Sequence, residues 1–337
     1  MSVETEDENL IYYNIDITND TSERIIPNFD VNRVDRILDN PSDYEMSVVR
    51  FSISLSSIPL FQFIENDFIV SLAIGEFIFY PEPLVWIPNN SVYDEKNVYD
   101  IQHLLDMLNN AWSLAFTFLK AGNTVVSTTP PFMTYSALTN LISLNVPKTY
   151  VADNIDIYTN SNLHRRLHSF YDFYNEFPST GVLNYRFIVQ DLFDNYNTFN
   201  GIDYFYFTQQ FSSIASLSDL RSIQVFTNSV PVNKELLGSQ LNIVETFLTD
   251  FEPVESNTFS SNGLYQFFPE GPLRYIDLLS NEPMKRFDLA IKWTKKSSEV
   301  VPYYLEPNEN ISLKIKFRKK QNLILDDFIH DMVLERN

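Results

Sequence analysis

A two-residue alternation of apolar and polar side chains recurs along this chain. Residues 311–317 place Ile, Leu, Ile and Phe at every second position, with Ser or Lys between them. Because successive side chains of a β-strand point to opposite faces, this period predicts a strand with one buried face. The same alternation occurs at 13–17, 49–55 and 289–293. We therefore predict a mainly β fold, a sandwich or a barrel.

Further segments rich in β-branched and aromatic residues extend this pattern. The predicted strands are 11–18, 44–55, 68–80, 84–87, 185–190, 203–208, 222–230, 241–249, 273–279, 287–293 and 311–319, with a hairpin made of 132–135 and 141–146. Strands therefore dominate both ends of the chain.

The middle of the chain changes its period from two residues to three and four. Apolar residues recur at helical spacing between 99 and 121, which predicts an amphipathic helix with Asp100 as its N-cap and Gly122 at its end. A second helix is predicted at 163–174.

No tract rich in Pro, Gly or Ser separates two domains in the sequence. We therefore predict an acidic flexible tail at 1–10, one sandwich domain at 11–320 with a helical insertion around 99–175, and a C-terminal tail at 321–337 that can form a helix.

The chain is strongly acidic, with a formal net charge of −20. Proteins that coat nucleic acid present Lys and Arg to the phosphates, so we predict no nucleic-acid binding. The charge is unevenly distributed along the chain, because residues 274–320 carry 11 Lys and Arg against 6 Asp and Glu. This excess of five positive charges fits solvated strand faces, and it also fits a basic patch that meets an acidic neighbour.

Residue types that common catalytic sites require are missing or scattered. The chain has no cysteine, which excludes disulfides, thiolate metal sites and cysteine nucleophiles. Its seven glycines are too far apart for a dinucleotide fingerprint, a P-loop or a nucleophile elbow. His164 and His168 can share a helix face and bind a metal, although a polar helix surface is the alternative. We predict no cofactor, no metal and no enzymatic activity.

No apolar run approaches the roughly 18 residues of a membrane span. The acidic N-terminus also lacks the apolar core of a signal peptide. We therefore expect no membrane span and synthesis in the interior of a cell.

Two aromatic clusters, at 170–174 and 204–207, place rings on both faces of their elements. Such two-sided clusters indicate either a central strand or an interface with another chain. Residues 322–335 add an apolar stripe at helical spacing, and an isolated helix of this length needs a docking surface. The candidate interface residues are Phe170, Tyr171, Phe173, Tyr204, Tyr206, Phe328 and Ile329.

Several short segments together resemble one protein family. They are residues 38–44 (Leu-Asp-Asn-Pro-Ser-Asp-Tyr), 46–53, 130–135, 141–144, 221–232, 287–293 and the final strand. In these segments the chain resembles the penton, or minor capsid, proteins of polinton-like viruses, adintoviruses and virophages.

The resemblance implies a single jelly roll, with the helices in an insertion between its strands. It implies a homopentamer at the fivefold vertex of an icosahedral virion, contacts with the major capsid protein and a site for a vertex fibre. It implies no catalytic residue, and it places synthesis in the host cell.

A different class of function is also open. A β-sandwich attachment module would bind a glycan or a host receptor through aromatic and acidic side chains. The oligomeric state discriminates between the two, because a ring of five supports the penton and a trimer is typical of many attachment proteins.

Overall fold

The computed structural model describes residues 10–75, 78–88, 96–174, 185–188, 196–232, 246–251, 264–267 and 273–320. The chain divides into two compact units. The first unit comprises Met1–Ile58 and Leu220–Asn337, and the second comprises Pro59–Asp219. The predicted tails at 1–10 and 321–337, with Phe328 and Ile329, lie outside the described residues, apart from Leu10.

Strands make up most of the regular structure. In chain order they are β1 (Leu10–Thr18), β2 (Asn28–Asn32), β3 (Tyr44–Ser54), β4 (Phe61–Gln62), β5 (Ile69–Ile74), β6 (Ile78–Pro83), β7 (Asn97–Val98), β8 (Phe132–Ser136), β9 (Leu141–Pro147), β10 (Ile155–Thr159), β11 (Asp172–Tyr174), β12 (Tyr185–Phe187), β13 (Tyr196–Phe199), β14 (Ile202–Thr208), β15 (Leu220–Thr227), β16 (Thr246–Phe251), β17 (Leu264–Phe267), β18 (Ile276–Asp277), β19 (Arg286–Lys295), β20 (Val300–Pro302) and β21 (Asn310–Lys319). The helices are α1 (Ile101–Gly122), α2 (Thr149–Ala152), α3 (Ser161–Arg166) and α4 (Ile214–Leu217).

Two antiparallel sheets form the first unit. One has the strand order β1-β21-β3-β17, with β18 also paired to β3. The other has the order β16-β15-β19-β2, with β20 also paired to β19. Numbered by their appearance in the chain, the eight strands on these two paths run 1-8-3-6 in one sheet and 5-4-7-2 in the other. This order, in which the connections cross repeatedly from sheet to sheet, is that of a jelly roll.

The apolar faces of the two sheets share one core. The Phe51 ring of the first sheet stacks on the Phe251 ring of the second, with centroids 5.3 Å apart. Phe287 and Phe317 meet edge to face at 6.0 Å, again from opposite sheets. The alternating burial of β21 shows why its sequence folds as a strand, since its apolar residues are buried and its basic residues point outward. The predicted jelly-roll sandwich is therefore confirmed.

The second unit packs the helix α1 against strands of two sheets. These sheets have the orders β11-β12-β10-β5-β6 and β13-β14-β9-β8, and α1 contacts β5, β6 and β8. Asp100 caps the helix by accepting from the Gln102 N–H at 3.0 Å. Asn109 holds α1 to β8, because its amide group bonds both the N–H and the carbonyl of Met133, at 2.7 and 3.0 Å. The predicted helix at 99–121 is therefore confirmed.

The unit that contains the helices is longer than the insertion expected around 99–175. It comprises residues 59–219, which follow β3 and precede β15, the third and fourth strands of the jelly roll. Within the described ranges, no helix is both long and apolar enough to cross a membrane.

Four secondary-structure predictions need correction. The predicted strand 273–279 is limited to the two residues of β18. The predicted strand 68–80 is two strands, β5 and β6, which pair through a turn at Gly75, where φ is +61°. Residues 84–87 form no strand, since β6 ends at Pro83, and Pro88, which has no N–H to donate to a ladder, follows them. The predicted helix 163–174 ends at Arg166, since Ser169 takes a φ of +79° and the chain continues into β11.

Candidate interface surfaces

The hairpin of β13 and β14 exposes aromatic rings in the described part of the chain. Its turn is Asn200-Gly201, with φ values of +50° and +77°, and Phe199 pairs directly with Ile202. Positive φ at both turn residues suits the Asn-Gly dipeptide and matches the twist of a two-residue hairpin. β13 lies at the edge of its sheet, and all four of its residues are exposed.

The ring of Phe132, in β8, packs against two rings of this hairpin. Phe132, Phe199 and Tyr204 contact one another edge to face, with centroids 5.3 to 5.8 Å apart. The Tyr204 hydroxyl donates to the Thr129 hydroxyl at 3.0 Å, which fixes the inner ring. Phe199 is still 41% exposed, so the cluster is buried on one side and open on the other.

A cation adds to the outer side of the hairpin. The Lys148 ammonium lies 3.8 Å from the centroid of the Tyr196 ring, which is itself 54% exposed. We call Phe132, Tyr196, Phe199 and Tyr204 the aromatic hairpin. Large half-exposed rings around a rigid centre are typical of surfaces that bind another protein.

A smaller aromatic surface surrounds Ser169. The Ser169 hydroxyl donates to the Phe211 carbonyl at 2.7 Å, and the Gln210 N–H donates to the Ser169 carbonyl at 3.0 Å. These bonds join Ser169, two residues before Tyr171, to the loop that carries Phe211, and the Tyr171 and Phe211 rings are each 54% exposed.

The structure places the predicted interface residues differently from one another. Tyr204 and Phe170 are buried inside the second unit, so their rings pack against their own chain and offer little surface to another. Tyr206 is partly buried and accepts from the Ser143 hydroxyl at 2.9 Å. Tyr171 is exposed, and Phe173 lies in β11. The interface assignment of these residues stays a prediction.

Sequence reasoning missed Tyr196 and Phe199. The signal that could have found them is Asn200-Gly201 between two aromatic-rich segments, a strong indicator of a hairpin. The predicted strand began at residue 203, beyond this turn, so the edge strand was overlooked.

The two histidines considered as metal ligands do not share a helix face. α3 ends before His168, whose ring nitrogen meets the Ser216 hydroxyl at 3.1 Å. The His164 ring stacks on Tyr185 with centroids 3.6 Å apart and pairs with the Asp172 carboxylate. Among the residues that the structure describes, no group of three or more His, Asp or Glu side chains is placed to hold a metal.

Comparison with known proteins gives consistent results. The chain matches the family model of the Sputnik minor capsid protein V18/19 over residues 11–67 and 87–319. It is 25% identical over 202 residues to Structural protein V19 of Sputnik virophage, and that match covers 55% of this chain and 93% of the relative.

Two solved structures share the fold. A chain of the Sputnik virophage structure determined by cryo-EM superposes with a TM-score of 0.77 at 24% identity, covering 93% of this chain and 99% of that chain. The mavirus penton protein superposes with a TM-score of 0.69 at 18% identity, covering 93% of this chain and 100% of that chain.

Proposed function

The chain belongs to the Sputnik minor capsid protein V18/19 family, and from this premise we propose that it is the penton of an icosahedral virion. In this role five copies form a closed ring at each fivefold vertex. The observation that carries the proposal is the jelly-roll strand order of the first unit in a chain of a minor capsid family. The similarity of the fold to a protein named a penton supports it further.

A ring of identical subunits requires two different surfaces on each copy, because every subunit contacts its two neighbours through opposite sides. The aromatic hairpin and the Tyr171–Phe211 surface are candidates for such contacts, since they expose large rings on the second unit. The penton also contacts the major capsid protein and offers a site for a vertex fibre. It is made in the host cell and acts without catalysis.

The pentameric assembly is tested on purified protein and on virus particles. We expect light scattering to give the mass of a pentamer, and an averaged particle reconstruction to show this chain at the fivefold vertices. Because the shell can be needed to stabilise the ring, the particle result decides. A strict monomer in solution together with vertices that lack this chain would refute the proposal.

The aromatic hairpin is tested separately. Tyr196→Asp combined with Phe199→Asp places two charges on the exposed rings and should weaken assembly. Val85→Asp combined with Leu138→Asp is a matched control, because it adds two charges at positions that are 63% and 94% exposed in the same unit. Equal assembly of the double variant and the control would remove the hairpin from the interface.

Attachment to a glycan or a host receptor is the second candidate function. The half-exposed rings of the aromatic hairpin favour it, since aromatic side chains are enriched at recognition surfaces. A trimer in solution, with binding to glycans or to host cells that the Tyr196 and Phe199 double variant loses, would support this function over the penton.

A further inference from the structure

The outward face of the first sheet of the jelly roll carries a row of cations. Lys314 lies directly opposite Arg50 across the β21–β3 pair, and Lys316 follows two residues later on the same face. We call Arg50, Lys314 and Lys316 the basic stripe. Like charges placed opposite one another on neighbouring strands are destabilising. The arrangement is therefore costly unless something negative covers it.

The acids of this face do not neutralise the basic stripe. Glu45 pairs with Arg318 at 2.9 Å, and Asp277 pairs with Lys320 at 3.0 Å. Asp16 stands one row further along, opposite Ser312. Across the described part of the chain, none of the three stripe cations has a carboxylate oxygen within 4.0 Å.

Aromatic rings hold the stripe in place without cancelling its charge. Lys314 and Lys316 lie over the exposed Tyr12 ring, 4.8 and 5.6 Å from its centroid. Partial burial lowers the pKa of Lys316, but the hydroxyls of Tyr12 and Tyr275 outweigh this and leave the pKa above its ordinary value. The ammonium group therefore stays charged.

The segment that precedes β1 has the opposite charge. Leu10, the first residue of β1, lies opposite Arg318 at the end of the sheet where Lys316 stands. Residues 1–9 carry four acids, Glu4, Glu6, Asp7 and Glu8, and no basic side chain. Because Leu10 follows this segment directly, the segment is joined to the fold at the end of the sheet where the stripe begins.

The length of the acidic segment also suits the distances to the stripe cations. With about 3.4 Å per residue along a strand and about 4.8 Å between strands, the three stripe cations lie about 8, 14 and 17 Å from the start of β1. An extended chain spans about 3.5 Å per residue, so Glu8, Glu6 and Glu4 reach about 7, 14 and 21 Å from the same point. Glu4 and Glu6 therefore have the reach for Lys316 and Lys314, and Glu4 also has the reach for Arg50.

We propose that the acidic N-terminal segment folds back on the basic stripe of its own chain. Covalent attachment beside the stripe gives this segment a high effective concentration, which a separate polyanion lacks. The docked segment neutralises a cationic face on an otherwise acidic protein, and a partner that binds this face must first displace it. This inference does not depend on the penton role.

Disulfide trapping tests the proposal, because the chain has no cysteine of its own. Ser2→Cys labels the end of the segment and leaves its four acids in place. Ser52→Cys labels the outward face of β3, two residues beyond Arg50. We expect rapid formation of a cross-link within one chain at low salt, identified by mass spectrometry of the non-reduced protein, and slow formation at high salt.

Repeating the cross-linking in variants whose cations are replaced with Gln makes the test specific. Arg50→Gln, Lys314→Gln and Lys316→Gln together should slow the cross-link by roughly tenfold, the contribution of two or three exposed ion pairs. The matched control replaces Arg33, Arg36 and Lys285 with Gln, which removes the same charge from exposed positions elsewhere in the first unit, and should leave the rate unchanged.

Three results would overturn the proposal. Equal cross-linking in both sets of Gln variants would show that the stripe does not hold the segment. Cross-links found only between chains would assign the segment to a second copy. Tight binding of a short DNA duplex by the full-length protein, lost when the stripe is neutralised, would assign the stripe to phosphates.

Discussion

The carboxylate of Asp288 holds the turn that leaves β15. It accepts from the backbone N–H groups of Asn228 and Ser229 at 3.1 and 2.8 Å, and from the Thr227 hydroxyl at 3.2 Å. The Asn228 side-chain amide donates to the second carboxylate oxygen, Oδ2, at 3.1 Å, and the Ser229 hydroxyl donates to the first, Oδ1. One side chain of β19 therefore organises the end of the neighbouring central strand.

Asp288→Asn removes the charge and replaces one acceptor oxygen with a donor that faces other donors. A hydrogen bond to a charged group contributes about 1.5–3 kcal/mol. Several donors converge on this carboxylate, but the side chain is partly exposed. We therefore expect the substitution to lower the free energy of opening this turn by about 2 kcal/mol. This corresponds to roughly thirtyfold faster hydrogen exchange at the Asn228 and Ser229 amides.

The effect should depend on pH in a defined direction. Burial on its own raises the pKa of Asp288, but the hydrogen bonds from Ser229 and Asn228 outweigh it and hold the pKa below its ordinary value. A carboxyl with a depressed folded pKa stabilises the protein above its unfolded pKa of about 3.9 and loses this contribution as the pH falls through the folded value. The difference between wild type and variant should therefore be complete at neutral pH and shrink in strong acid.

Hydrogen exchange read by mass spectrometry is the suitable assay, because a chain with two units need not unfold in one step. Asp39→Asn is the matched control, since it removes the same charge from an exposed ion pair with Arg36 at 3.0 Å. Such a pair contributes about 0–1 kcal/mol. Unchanged exchange at residues 227–230 in neutral solution, or an equal effect of Asp288→Asn at all pH values, would refute the reasoning.

Other measurements probe the core, the charge and the C-terminal segment. Phe317→Ala removes a fully buried ring of the jelly-roll core and should lower the free energy of unfolding of the first unit, read from hydrogen exchange of β3 and β21, by about 3–5 kcal/mol; Ile26→Ala, at a 54% exposed position in the same unit, is its control. The full-length protein should show no submicromolar binding to labelled DNA at low salt, and tight binding with a steep salt dependence would contradict this. Phe328→Asp with Ile329→Asp should lower the melting temperature of the free protein if the helix predicted at 322–335 docks on its own chain, because an isolated helix of this length is marginal in water; normal stability with failed incorporation into particles would point to a partner subunit instead.

The strands of the jelly roll were predictable where one face is buried and the other is wet. β1, β3, β19 and β21 all show this alternation, and their predicted limits agree with the structure within a few residues. The prediction of a strand at 84–87 was wrong because an apolar run alone does not distinguish a strand from an irregular buried segment. Its Trp86 ring packs against Phe63 and His103 at 5.6 and 4.7 Å without entering a ladder.

The aromatic clusters show the limit of sequence reasoning about surfaces. β14 is a central strand between β13 and β9, so Tyr204 packs inside its own unit. The sequence shows that the cluster has two apolar faces, but not which face the rest of the chain covers. That depends on β9 and β13, which come from distant and adjacent parts of the chain, respectively.

The long insertion between β3 and β15 begins and ends at the same place. The Asp219 N–H donates to the Leu60 carbonyl at 2.6 Å, so the first and last turns of the second unit are hydrogen-bonded to each other. Loop-closure entropy grows only slowly with loop length, and a unit that joins its own ends constrains the jelly roll little more than a short loop would. The second unit can therefore change its exposed surface, including the aromatic hairpin, without altering the strand order that defines the capsid fold.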